Sequence, residues 1–435
     1  MKKKITKYLL LALACLGLQS CLFQEENYFD DSSANRATAD VNRCGELLKA
    51  APNGWVMEYY VGKDYSLGGI TLLCRFDGQR VTMASQMAEA DETVSSLYSV
   101  KSEQATMLSF DTYNYLVHYF GQPQGSMSDD PNGTLGGDYE FIISSASDER
   151  IELKGKKYGN RIVMRALTED QTWKQYLTKI KKVEDDAFFY EYDLLMDGLY
   201  TGQMLRSNYT FIVTYYDEIG KVHQKTVPFM FTADGMRFHE PVTIDGQTMQ
   251  NFVWKNEVIS FVCTDEGATG VKLAGVYTAG YQSYDYYPGT YQMDFYRLND
   301  ETKQLEVASQ EVRLLKNEDG KSYWLKGLEY DILVMFDKPR GGLSVSPQLL
   351  KKVQGGYVYL AMWDVMNDYV LRGESIGLIS YATTNGIYLV DNGVWMGEVS
   401  GFIFGVYNSQ EEDAAFIGYT DAVASIRLVK KTIEE

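Results

Sequence analysis

The stretch Ser128-Asp-Asp-Pro-Asn-Gly-Thr-Leu-Gly-Gly-Asp-Tyr-Glu140 crowds hard oxygen donors into a short span. Calcium takes roughly six to eight such oxygens. Asp130, Asn132 and Gly133 fall where a calcium loop wants them, but Ser128 replaces the first aspartate and Glu140 is one place late for the bidentate ligand. No helices are expected to flank the stretch. The expectation is therefore a non-helical calcium site of Asp129, Asp130, Asn132, Asp138 and Glu140, with an acidic hairpin loop as the alternative. A second stretch holds Tyr277, Tyr281, Tyr284, Tyr286, Tyr287 and Tyr291. A flat ring carrying a hydroxyl can stack on a sugar or grip a peptide at low entropic cost. Tyr281, Tyr284, Tyr286 and Tyr287 are the expected ligand-binding residues, the alternative being rings packed between two units.

Catalytic patterns fail on inspection, and no catalytic residue is named. Gly373-Glu-Ser-Ile-Gly377 matches a serine-hydrolase elbow, which needs a histidine later in the chain. The three histidines are His118, His223 and His239, all earlier. They are too scattered for zinc, and no His-Glu-x-x-His occurs. His118, between Val117 and Tyr119, reads as a hydrogen-bonded sheet histidine. Gly320-Lys321-Ser322 lacks the partner glycine of a phosphate loop. Among 59 acidic residues a glycosidase-type carboxylate pair can be neither located nor dismissed. Calcium is thus the one cofactor the residues admit.

Cys21 offers chemistry of a different kind. It closes Leu18-Gln19-Ser20-Cys21, behind Lys2, Lys3, Lys4 and Lys7 and an apolar run from Tyr8 to Leu18. That run falls short of the roughly 20 residues a spanning helix needs, so residues 1–20 read as a cleaved lipoprotein signal peptide with Cys21 as the acylated first residue. Residues 21–33 would form a lipidated tether. Gln24-Glu25-Glu26 resembles the acidic surface-export signal of lipoproteins in the Bacteroidota. The expected location is the outer membrane, facing the cell exterior, with the periplasmic face as the alternative. Losing the four signal lysines takes the formal net charge from −18 to −22. Such acidity repels phosphate backbones, so no nucleic-acid partner is expected. Cys44, Cys74 and Cys263 are odd in number and widely spaced, which fits buried thiols better than a disulfide framework, although one Cys44–Cys74 bridge stays open.

These residues need positioning elements. Ala34, Ala37, Val41, Cys44 and Leu48 recur at helical spacing, predicting a helix over 33–51. A second helix is predicted over 168–183, capped by Thr168 and Gln171, with Trp173, Tyr176, Leu177 and Ile180 on one face. Elsewhere Asp-Gly or Asn-Gly pairs, such as Asp77-Gly78, Asp245-Gly246 and Asn385-Gly386, punctuate apolar runs. Glycine supplies the positive φ of two-residue hairpins, so the chain reads as mainly β. Antiparallel meanders would form two β-rich units, sandwich or barrel-like, over 34–274 and 275–435.

An ordered series of motifs adds to this reading. Ala51-Pro-Asn-Gly-Trp55, Phe76-Asp-Gly, Leu108-Ser-Phe-Asp-Thr-Tyr-Asn114, His118-Tyr-Phe120, Gly136-Gly-Asp-Tyr-Glu-Phe141 and Leu153-Lys-Gly-Lys-Lys157 together resemble the Bacteroidota lipoproteins catalogued as domain of unknown function 4302, over roughly residues 30–265. The resemblance implies an exported, lipid-anchored protein, often beside an outer-membrane nutrient transporter, and no established activity. The expected function is non-catalytic binding of a glycan or peptide for such an uptake system. The alternatives are a carboxylate-dependent hydrolase and a structural or adhesive surface protein.

Overall fold

The computed structural model describes residues 32–123, 133–217, 219–411 and 413–431. Cys21, Asp129, Asp130 and Asn132 lie outside the described residues. Helix α1 (Ser33–Ala50) is capped by Ser32, whose hydroxyl accepts the Asn35 N–H, and it buries Cys44 and Leu48. Its last turn is tied to the first strand, because the Trp55 indole donates to the Leu48 carbonyl at 2.8 Å.

Strand β1 (Trp55–Val61) alternates as a strand should. Trp55, Met57, Tyr59 and Val61 belong to the core of a barrel, and Val56 packs in the core of the next unit. All seven residues of β1 are buried because both of its faces are covered. The chain then meanders to β8 (Arg161–Ala166), which pairs back on β1 with Trp55 opposite Ala166 and closes an eight-stranded barrel. Side chains such as Tyr59, Phe110 and Phe141 fill it, as an interior of that strand number allows.

Helix α2 (Tyr115–His118) is a single turn capped by Asn114. His118 thus ends a helical turn and is not a sheet residue, because the Asn114 side chain accepts the Leu116 N–H and starts the turn. Helix α3 (Trp173–Asp186) begins later than its sequence suggests. Asn53 donates to the carbonyls of Thr168 and Gln171 and holds that segment out of the helix. The capping box is Thr172 with Gln175. Leu177, Ile180 and Val183 pack on the second unit.

That second unit runs from β9 (Glu191–Met196) to β16 (Val271–Val276), which pair with each other and close another eight-stranded barrel around Phe211, Phe229, Phe231 and Phe238. The span 34–274 therefore holds two barrels where the sequence suggested one unit. Helix α3 lies between them in the chain, but the same hairpin punctuation resumes after it, and first-to-last strand pairing leaves no local signature. Residues 289–430 form a third unit. Its last strand, β28 (Phe416–Lys430), pairs on one side with β17 (Gly289–Leu298) and on the other with β26 (Gly386–Asp391) and β27 (Gly401–Tyr407). The pairing of β28 with β17 turns the twelve-stranded sheet back on itself.

The hairpin glycines do what the turns require. Asp245 and Gly246 have φ of 46° and 76°, the two positive values of a tight hairpin. Cys44, Cys74 and Cys263 are free and buried. The two barrels touch closely at Gly68, which has φ of 71°. A Cβ there would lie 2.1 Å from the Tyr209 carbonyl oxygen.

Candidate functional site

The tyrosine-rich segment is mortar more than platform. Tyr287 is 1% exposed and donates its hydroxyl to the Gly341 carbonyl at 2.8 Å. Tyr284 is half-buried and stacks on Tyr323 at 4.7 Å. Tyr281 packs against Tyr277 and, at 6.1 Å, against Phe188, which follows α3. Tyr286 keeps an exposed ring. The binding role read for Tyr287 is thereby corrected: its ring and hydroxyl are both spent inside the fold. Of the acidic loop, Asp138 is buried and accepts the backbone N–H groups of Lys157 and Tyr158 at 2.7 and 3.1 Å. Burial nevertheless pushes its carboxyl above the ordinary range. Glu140 is bridged by Lys101 and Lys156 at 2.9 and 3.0 Å. Both carboxylates already have protein partners. Among the described residues, no group of three His, Cys, Asp or Glu side chains could hold a metal. Ser375 of the apparent elbow sits in a turn between strands, not before a helix.

The structure builds a different site, at the seam of the two barrels. Strand β8 turns Ile162 and Met164 inward, which leaves Arg161, Val163 and Arg165 on the outside. Arg150 stands opposite Arg165 on β7 (Arg150–Gly155). From the second barrel, β13 (Gly235–Ile244) brings Arg237 and His239 to the same place. These side chains, with Glu58, Tyr60 and Asn251, line a cleft of about 530 Å³. Glu58 is the pivot. It is 8% exposed, and its carboxylate takes Arg165 at 2.9 Å and also Arg237 across the seam. Glu152 holds Arg150 and Arg161 at 2.9 and 3.2 Å. Four guanidinium groups against Glu58, Glu152 and Glu240 leave one formal positive charge in a chain of −18. A guanidinium has about five N–H donors in a rigid fork, so donors far exceed the acceptors around them. The site can grip a planar oxyanion.

A family model described as Domain of unknown function (DUF4302) matches residues 25–256. The chain belongs to that family. The match contains every residue of the cleft. A second model, described as Domain of unknown function (DUF4987), matches residues 264–404. No curated protein matches. One similar solved chain is a crystal structure of a protein with unknown function from the DUF3598 family of Nostoc punctiforme. It shares 8% identity, over 55% of this chain and 94% of that one, with a TM-score of 0.14, too low to inform the fold.

In this DUF4302 chain Arg150, Arg161 and Arg165 share one hairpin, but Arg237 comes from a strand of the other barrel, which hid the cluster from motif reading. The available signal was local: Glu58 in an otherwise apolar strand, and outward arginines at Arg161 and Arg165 in a strand with apolar inward residues. His239 packs on Tyr65 at 3.9 Å and edge-on to Tyr60 at 4.5 Å. Burial holds its imidazole below the ordinary histidine range. Below about pH 6.5 the unfolded chain takes up a proton that folded His239 resists, so its contribution to stability falls on acidification through that range. Thermal melts from roughly pH 7.5 to 5.5 should decline, and His239→Gln should flatten the decline. Identical slopes would refute the assignment.

Proposed function

We propose that this chain is an exported, lipid-anchored, non-catalytic binding protein that holds a carboxylate-bearing glycan in the cleft between its barrels. The observation that carries the reading is the convergence of four guanidinium groups in one cleft of an acidic protein. Forked guanidinium–carboxylate pairs are among the strong, geometrically specific hydrogen bonds. Glu58 and Glu152 are tied to arginines and act as positioning residues, which argues against a carboxylate-dependent hydrolase here. The half-buried His239 ring beside the arginines suits the face of a sugar better than a bare acidic peptide. The lipobox ending at Cys21 and the acidic Gln24-Glu25-Glu26 support anchoring in the outer membrane and display on the cell exterior, beside a nutrient-uptake system.

Calorimetry on the soluble chain from Asn27 tests the ligand, with oligogalacturonate, its methyl-esterified form and an oligoglutamate peptide as probes. The charged glycan should bind and the ester should not. Arg150→Ala with Arg161→Ala should weaken binding at least tenfold, since a hydrogen bond to a charged group is worth about 1.5–3 kcal/mol. Equal binding of the ester, tighter binding of the peptide, or an unaffected variant would each overturn the reading. For the anchor, Cys21→Ser should free the protein from membranes. A processed variant that still sediments with them would exclude lipidation.

A further inference from the structure

A second cavity, of about 520 Å³, lies where all three units meet. Gln86, just past β3 (Arg80–Ser85), reaches it from the first barrel. Lys181, Glu184 and Asp185 come from α3, Arg206 from β10 (Leu199–Ser207) of the second barrel, and Lys321 and Lys338 from the third unit. The carboxylates are already engaged. Glu184 accepts the Tyr209 hydroxyl at 2.7 Å and lies 3.8 Å from Arg206, and Asp185 takes Lys338 at 2.8 Å. Lys181 and Lys321 have no carboxylate partner among the described residues.

A second observation is independent of charge. Gln86 is 7% exposed, and its Oε1 accepts the Thr71 N–H at 3.0 Å. That bond fixes which end of the amide is oxygen. Its Nε2 is left buried with no hydrogen-bond partner, approaching the Tyr209 hydroxyl without meeting hydrogen-bond geometry. A buried donor left unmade is costly and uncommon in native folds, so the wall of this cavity lacks an acceptor. Phe188 and Pro339 provide apolar walls, which strengthen the field of nearby charges.

We propose that this junction is a second binding site, for a compact oxyanion: a phosphate or carboxylate group on a small molecule, held by Lys181, Lys321 and the Gln86 amide. Ammonium groups act as point charges without the planar fork of arginine, so the junction suits a compact anion where the inter-barrel cleft suits a planar one. An occupant would bridge α3 and the third unit.

Calorimetry and thermal melts of the full-length protein with inorganic phosphate, acetate and citrate test this. At least one anion should bind saturably and raise the melting temperature, since a ligand held only by the folded state stabilises it. Phosphate alone would identify the phosphate source; acetate or citrate alone would identify the carboxylate. Lys181→Met with Lys321→Met, two changes outside the core, should keep the melting temperature of the free protein and weaken binding at least tenfold. Arg150→Ala with Arg161→Ala, which removes carboxylate binding at the inter-barrel cleft, should leave the lysine-dependent binding unchanged. Saturable binding of none of the three, an unaffected lysine variant, or loss of the lysine-dependent binding in the arginine variant would overturn the proposal, the last by moving the anion to the other cleft.

Discussion

Glu58→Ala is expected to lower stability by roughly 2–3 kcal/mol, although the position lies in the middle of one strand. Breaking one side of a fully buried ion pair costs about 3–5 kcal/mol because the remaining charge is stranded. Here Glu58 is 11% exposed at its side chain, Arg237 27% and Arg165 42%, so solvent recovers part of that loss. Two guanidinium groups on facing barrels would then repel each other across the seam. Denaturant titration would show the midpoint shift, and Glu58→Gln, which keeps the shape and removes the charge, should reproduce most of it. A midpoint unchanged in both variants would mean that the seam is held by apolar packing alone.

The second large effect is expected at Tyr287. Truncating a buried aromatic to alanine typically costs about 3–5 kcal/mol. Tyr287 packs on Tyr323 and Phe336 at 6.0 and 6.3 Å, and its hydroxyl closes on Gly341. Tyr287→Ala should therefore melt the third unit early and leave the two barrels with their own transition. Tyr286→Ala, one residue away and 41% exposed, should cost under about 0.5 kcal/mol. A variant pair with equal melting curves would show that the buried ring contributes little.

That contrast marks where the sequence stops being legible. Composition places six tyrosines together but cannot say which face covered surface, because burial is decided by strands far away in the chain. Local rules did well where the cause is local. Asp245-Gly246 demands positive φ and is a hairpin turn, and the spacing that buries Cys44 and Leu48 is a helix. The two β units were too few because closure of β1 on β8 and of β9 on β16 is a pairing over long separation. The seam followed the same logic. Glu58 looks like an isolated charge in an apolar strand until Arg165 and Arg237 are brought to it from two other strands. The three histidines offered chemistry by type, yet only His239 reaches the cleft, and it does so as a packed, neutral ring.

The pairing of β28 has a consequence for the order of events in folding. Each of the first two barrels closes within its own contiguous stretch, by one pairing of its first strand with its last. In the third unit, β17, β26 and β27 all depend on one strand, residues 416–430, for an edge. Until that strand docks, their open edges present unpaired backbone, the surface on which chains aggregate. Several edges of the third unit thus close together when its last strand docks, and truncation ahead of residue 416 would leave all of them open.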